Sequence, residues 1–424
     1  MSALVTAEIE PPLPKLRQNR SFMVFCTART VSAAGTGMTM VVMPVLIYRL
    51  TGSPAATASL VVLEALPYLA FGLFAGVLAD RVDRRRVMVI SDMACALLLG
   101  SIPLAASLHL LTAAQLFIVA FGVATGFVWF DAASFGALAG LVGRSQLPEA
   151  AGMLWSWGSI VWLLAPTLGA SLIVVTAPAY VLGLDAVTYL ASALLLGSIR
   201  RSFQPCPEQK ARESQIRSDI AAGLRFLWHQ PVVRTMTLSI FAVCVSWGGA
   251  FGLIVIYATR ALHLGRSDAR LGLLYSAGEV GGLIAALIIP RIVKRPSAGR
   301  VAAAVMLINV VSLLLLAVAP GYGWALPLFF FYELTYTMIL AAGITLRQML
   351  TPDHMQGRIN TTARLIGYSG QPLGALISGL LAGIWPIRVV FALMTFGVAV
   401  GAGLAGWSCR RSGPLAVISL PPER

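Results

Sequence analysis

Charge is scarce in this chain. Of its 424 residues only 11% are Asp, Glu, Lys or Arg, against about 25% in a soluble domain. Lysine occurs three times, at Lys15, Lys210 and Lys294, and 58% of the residues are hydrophobic. Mean hydropathy is +0.83. A soluble fold is excluded, and because apolar stretches of about 20 residues recur without strand-like alternation, an all-α integral membrane protein is expected. Histidine is nearly absent: His109, His229, His263 and His354 are dispersed. The five cysteines (Cys26, Cys95, Cys206, Cys244, Cys409) show no Cys-x-x-Cys spacing. No disulfide framework, metal site or cofactor is expected, and without a His, Asp and Ser cluster no enzymatic activity is expected either. No Gly-rich loop runs into Lys-Ser or Lys-Thr, which argues against an ATP-driven engine. The first twenty residues lack an apolar core, so no cleavable signal peptide is expected.

Apolar runs, read against Gly and Pro breakers, predict twelve spans. Six run over 22–49, 57–79, 87–108, 112–142, 150–177 and 178–199, and six over 232–261, 270–290, 299–319, 322–349, 361–384 and 386–409. The organisation is a tail over 1–21, a six-helix bundle over 22–199, a polar linker over 200–231, a second six-helix bundle over 232–409 and a tail over 410–424. In the linker, Ile216, Ile220, Leu224 and Leu227 recur at helical spacing, which predicts an amphipathic helix on the inner leaflet. With the N-terminus inside, 25 of the 31 basic residues fall on the cytoplasmic side and five outside, while Arg29 lies within a span. Both termini are therefore expected to be cytoplasmic. The net charge of +14 sits mostly in loops beside anionic headgroups, so lipid and not nucleic acid is the expected partner. A shift of 210 residues sets Arg81 on Arg291 and Arg84 on Lys294, which indicates a repeated six-helix unit of the secondary-transporter kind.

Between the second and third spans lies Gly76-Val-Leu-Ala-Asp80-Arg81-Val-Asp-Arg84-Arg85-Arg86. This matches Gly-x-x-x-Asp-Arg-x-x-Arg-Arg, and the chain resembles the major facilitator superfamily. Leu50-Thr-Gly-Ser53, Ile90-Ser-Asp92 and Leu147-Pro-Glu-Ala150 are similar to its bacterial subgroup of macrolide-efflux proteins and enterobactin exporters. The antiporter pattern of the fifth helix survives in part as Ala165-Pro166-Thr-Leu-Gly169-Ala170. The resemblance implies alternating-access export of a small amphipathic molecule against protons, by a monomer in a bacterial inner membrane. It also implies that Gly76, Asp80, Arg81 and Arg84 form a cytoplasmic latch, one-sided because Pro290 stands where the second half would repeat Asp80.

Charges inside the hydrocarbon are costly, so those present are functional candidates. They are Arg29, Glu64, Asp92, Asp131, Asp185, Glu279 and Glu333. Asp92 is expected to partner the arginine cluster at the cytoplasmic face. By the resemblance, helices 1, 4, 7 and 10 line a central cavity, which makes Arg29 with Asp131 a buried pair and lets Glu333 approach them. Asp131 and Glu333 are then the expected proton carriers, with Glu64 and Glu279 as candidates for an outer gate or a bond across the bundles. Phe329, Glu333 and Tyr336 share one helical face flanked by Tyr332. With Trp129, Trp247 and Phe251 they would form an apolar wall suited to an amphipathic cation. The alternatives on the same fold are export of a siderophore or another metabolite, lipid movement, or sensing without transport.

Overall fold

A computed structural model describes residues 16–143, 146–200, 203, 224–265, 268–293, 298–350 and 356–411. Fourteen helices carry the description: α1 (Arg20–Thr51), α2 (Pro54–Arg81), α3 (Arg84–Ser107), α4 (Ala113–Val142), α5 (Leu147–Val175), α6 (Pro178–Ser198), α7 (Pro231–Gly252), α8 (Ile254–Arg260), α9 (Arg270–Val293), α10 (Ala298–Val318), α11 (Tyr322–Leu350), α12 (Gln356–Tyr368), α13 (Gly370–Leu381) and α14 (Ile387–Arg411). Among the described residues ten helices are long and apolar enough to cross a membrane, and α10 contains a shorter apolar stretch, Ala304–Val318.

Local chemistry sets the turns. Gly52 ends α1 in the left-handed region (φ 62°), its N–H donating to the Tyr48 carbonyl at 2.9 Å, a conformation that glycine adopts without a Cβ penalty. At the other end of α2 the turn is only Val82 and Asp83. Asp83 caps α3 by accepting from the Arg85 and Arg86 N–H groups at 2.9 and 3.3 Å, which satisfies donors a helix start leaves open. Pro178 opens α6, where an N–H is not needed.

Two expected spans are not single helices. The stretch expected over 232–261 breaks at Leu253 into α7 and α8, and the one over 361–384 breaks at Ser369 into α12 and α13. Apolar residues continue through the first break; the second falls in Tyr368-Ser369-Gly370-Gln371-Pro372, where Pro372 has no N–H to donate to the Tyr368 carbonyl. These two pieces of chain cross backbone against backbone: a Cβ on Gly248 would lie 2.0 Å from the Gln371 carbonyl oxygen, and one on Gly374 would lie 1.8 Å from that of Val245.

Below, the end of the molecule carrying the Thr51–Pro54 turn is the Ser53 end, and the end carrying Asp83 is the Asp83 end. At the Ser53 end one apolar core runs through both halves, from Val41–Tyr48 and Leu182 to Leu253–Ala258, Leu274 and Phe391. At the Asp83 end it divides. Phe22, Phe25, Met88 and Leu141 form a core in the N-terminal half, while Ile240, Val243 and Ile339 form another in the C-terminal half. The halves meet where α2 lies on α13 and α5 on α9. Small residues permit both approaches: Gly379 against Ala55 and Ala58, and Gly272 against Pro166, Thr167 and Ala170. Thr167 and Ser276 hydroxyls bond across the second seam at 2.7 Å. Near the Ser53 end, Arg260 Nε donates to the Tyr48 hydroxyl at 3.0 Å. The molecule is thus joined at one end and parted at the other.

The amphipathic linker helix lies largely outside the described residues. Its described part, 224–229, is helical, and Leu227 is buried against Val233, Ile359 and Ala363. Leu227 thus packs on protein, while Leu224 of the same stripe is exposed.

Candidate functional site

A cavity of about 640 Å³ opens between the halves, within the range typical of small-molecule sites. It contains Glu64 of α2, Glu279 of α9 and Glu333 of α11, with one guanidinium among the described residues, Arg364 of α12, on its wall. Thr36 and Thr39, Trp162, Tyr275 and Gln371 add polar and aromatic lining from α1, α5, α9 and α13. Glycine permits the acidic wall. A Cβ on Gly278 would lie 2.8 Å from the Phe329 ring and 2.9 Å from Glu333 Cγ, so α9 presses on α11 there and brings Glu279 beside Glu333.

Glu333 is held by an aromatic stack. Trp247 Nε1 donates to Glu333 Oε1 at 2.8 Å. Its indole lies between Phe251, with centroids 4.4 Å apart, and Tyr336, at 5.2 Å, both nearly parallel to it. Tyr275 meets Phe251 edge-on at 5.6 Å, and Gln371 Nε2 donates to the Tyr336 hydroxyl at 3.1 Å. One carboxylate is therefore fixed in orientation beside a face of stacked rings. Such a surface takes an apolar body through its rings and a positive head through its acids.

Several expected placements change. Glu64 and Glu279, read from the sequence as gate residues, share the cavity with Glu333. Arg29 and Asp131 do pair, at 3.8 Å, but the Asp131 side chain is 52% exposed and neither residue is among those lining the cavity. Arg29 also donates to the Ser134 hydroxyl. Both residues sit toward the Asp83 end of their helices, several turns from Glu333, so the buried pair and its approach to Glu333 are not found. Tyr332 is 1% exposed inside the C-terminal half, because it projects about 100° around α11 from Glu333; Tyr336, stacked behind Trp247, is buried too and is not among the residues lining the cavity. Trp129 packs on Phe71 at 6.5 Å and does not face the cavity.

At the Asp83 turn, Arg84 is buried, donating to the Gly136 carbonyl at 3.0 Å and the Phe203 carbonyl at 3.4 Å. Arg85 donates to the Gly197 carbonyl. Asp92 is 1% exposed and bonds none of these arginines; Ser192 faces it from α6. The expected tie from Asp92 to the arginine cluster is thereby corrected. The side chains of Gly76, Asp80 and Arg81 lie outside the described residues, and so does the latch expected of them. In α5, Ala165 and Gly169 face Gly37 and Met38 of α1, while Pro166 and Ala170 face Gly272 of α9. The partial antiporter pattern thus sits at the seam between the halves.

Tyr275, Gln371, Thr36 and Thr39 were not singled out from the sequence. The signal was present for one of them: Tyr275 lies four residues before Glu279, which puts both on one helical face. Gln371 carries no such mark, since its place depends on the crossing of α7 with α13.

A sequence model of the Major Facilitator Superfamily matches residues 25–375. The chain is 25% identical over 383 residues to the multidrug efflux pump Tap of Mycolicibacterium fortuitum, covering 87% of this chain and 90% of that protein. It is 28% identical over 393 residues to the enterobactin exporter EntS of Citrobacter koseri, covering 88% of each. Among solved structures, the nucleoside transporter NupG superposes with a TM-score of 0.73 at 13% identity, over 91% of this chain and 98% of that one. A bacterial homologue of the human lysosomal transporter Spinster, in an inward-facing and unoccupied conformation, superposes with a TM-score of 0.70 at 14% identity, over 94% and 98%. A two-part helical body with a central cavity and a family match over most of its length place this chain in the Major Facilitator Superfamily, as a multi-pass transporter of a bacterial cell membrane and not an enzyme.

Proposed function

We propose that the protein exports an amphipathic cation across the membrane in exchange for protons, through twelve spans with both termini cytoplasmic. The observation that carries this reading is the central cavity, where three carboxylates and one guanidinium face a stack of aromatic rings. The Asp83 end, rich in arginine, is taken as cytoplasmic, so the cavity opens inward in this conformation and loads from the cell. Similarity to the multidrug efflux pump Tap supports a drug-like cargo. Similarity to the enterobactin exporter EntS favours a second reading, export of an anionic siderophore, against which the charge of the cavity argues. The test is efflux of a lipophilic cation from proteoliposomes with an imposed pH gradient. Transport should follow the gradient and stop when an ionophore collapses it; efflux that continues unchanged would exclude proton exchange.

A further inference from the structure

The cavity does not use all the buried acids. Two others lie inside the N-terminal half, between α1, α3 and α6. Asp185 is 0% exposed, and only hydroxyl groups bond its carboxyl: Thr39 Oγ1 donates to Oδ2 at 2.5 Å, and Thr188 Oγ1 lies 2.9 Å from Oδ1. Asp92 is 1% exposed, and its Oδ2 has no hydrogen-bond partner. Facing it is Ser192, 0% exposed. Asp185, Thr188 and Ser192 fall at i, i+3 and i+7, so they line one face of α6 over about 10 Å.

Hydrogen counting at Asp185 is informative. The Thr188 hydroxyl has one hydrogen and two acceptors within reach, the Asp185 backbone carbonyl at 2.8 Å and Oδ1 at 2.9 Å. Either that one hydrogen is shared between the two acceptors or Oδ1 carries a hydrogen of its own toward Thr188 Oγ1, so the site accommodates a protonated carboxyl as well as an ionised one. α1 and α6 are in close contact there: a Cβ on Gly35 would lie 1.9 Å from Asp185 Oδ1 and 2.1 Å from Thr188 Oγ1. The titratable and charged groups facing Asp185 are Asp92 and Cys95 on α3 and Tyr189 on α6. Arg29, further along α1, faces Asp92. In α5 the only titratable residue is Glu149, at the far end.

The file has two outlets. Thr36, Thr39 and Tyr189 line the cavity, and the Tyr189 hydroxyl is 3.0 Å from Thr36 Oγ1. Toward the Asp83 end, Arg29 leads to the half-exposed Asp131. We propose that Asp185 and Asp92, with the hydroxyls of Thr188 and Ser192, form a proton-binding path inside the N-terminal half, separate from the cavity carboxylates that take the cargo. One proton resides on the Asp185 carboxyl and passes to the neighbouring buried acid Asp92, beside which Ser192 stands. As it leaves, the Thr188 hydroxyl turns from the backbone carbonyl to the Asp185 carboxylate, so no bond is left unmade.

This rests on the proton-exchange reading above, and the experiment separates the two. Tetraphenylphosphonium transport is measured in proteoliposomes in two modes, accumulation driven by a pH gradient and exchange at equal pH. Asp185→Asn should lower gradient-driven accumulation by about ten-fold or more and leave exchange within about two-fold of wild type. Asp92→Asn, the second variant, should do the same. Full gradient drive in both variants, or loss of drive and exchange together in protein that still binds the cation, overturns the path while leaving the function standing. Wild type indifferent to the pH gradient removes the proton-exchange reading itself, and the path with it. Wild type driven by a sodium gradient at equal pH overturns the assignment to a proton.

Discussion

Trp247 is the side chain on which the geometry of the cavity turns. Its N–H fixes one oxygen of Glu333, and its ring is clamped by Phe251 and Tyr336. Trp247→Phe keeps the stack and removes the donor. A hydrogen bond to a charged group contributes about 1.5–3 kcal/mol, so affinity for a lipophilic cation should fall by about 10- to 100-fold in a binding titration, and unchanged affinity would show that Glu333 needs no such support. Outside the membrane, hydrogen bonds from Arg270 hold the Asp268 carboxyl below the usual carboxylate range. A depressed value means that its stabilisation is present above the unfolded pKa of about 4 and is lost as pH falls through the lower folded one. Thermal unfolding of wild type should therefore lose stability on acidification in a way that Asp268→Asn does not; identical acid profiles would contradict the bond. At this scale the sequence was a partial guide. It marked Glu64, Glu279 and Glu333 as costly residues inside apolar spans, which hydropathy makes plain. Which of them meet depends on how α2, α9 and α11 are rotated, and that is set by contacts such as Gly278 on Glu333 that no spacing rule reveals.

At the scale of the helix, the ends were legible and the interior breaks were not. Gly52, Asp83 and Pro178 are punctuation that a chain can be read by, and the helices start and stop within a few residues of them. The breaks at Leu253 and Ser369 lie near the close crossing that Gly248 and Gly374 admit, and their local marks, Gly252 at the first and Gly370 with Pro372 at the second, sit inside stretches whose length alone reads as one span. Glycine substitutions separate the two kinds of site. Gly248→Ala would place a methyl 2.0 Å from the Gln371 carbonyl oxygen, and should destabilise by about 1–3 kcal/mol. Gly158 lies within α5 with nothing within 4 Å of an added Cβ; Gly158→Ala should be neutral or stabilise by about 0.5–1 kcal/mol. Thermal unfolding in detergent compares them, and equal shifts would contradict the close crossing at Gly248.

At the scale of the molecule, two halves share one core at the Ser53 end and have separate cores at the Asp83 end. Alternating access requires the shared end to part and the other to close. Arg260 bonded to Tyr48 is one clasp on the shared end. Arg260→Ala should move the population toward the opposite conformation, seen as a shorter distance between spin labels at Val82 and Trp228, and an unchanged distance distribution would remove the clasp from the mechanism. An all-helical membrane fold was visible in the recurring apolar runs; which end is closed was not, because it depends on the seams of α2 with α13 and α5 with α9. The central claim is that this cavity selects a cation. The most direct measurement titrates the purified protein with tetraphenylphosphonium and with tetraphenylborate, which match in size and shape and differ in the sign of their charge. The account predicts saturable binding of the cation, weakened in Glu333→Gln, and no comparable binding of the anion. Equal affinity for the two, or preference for tetraphenylborate, would contradict it.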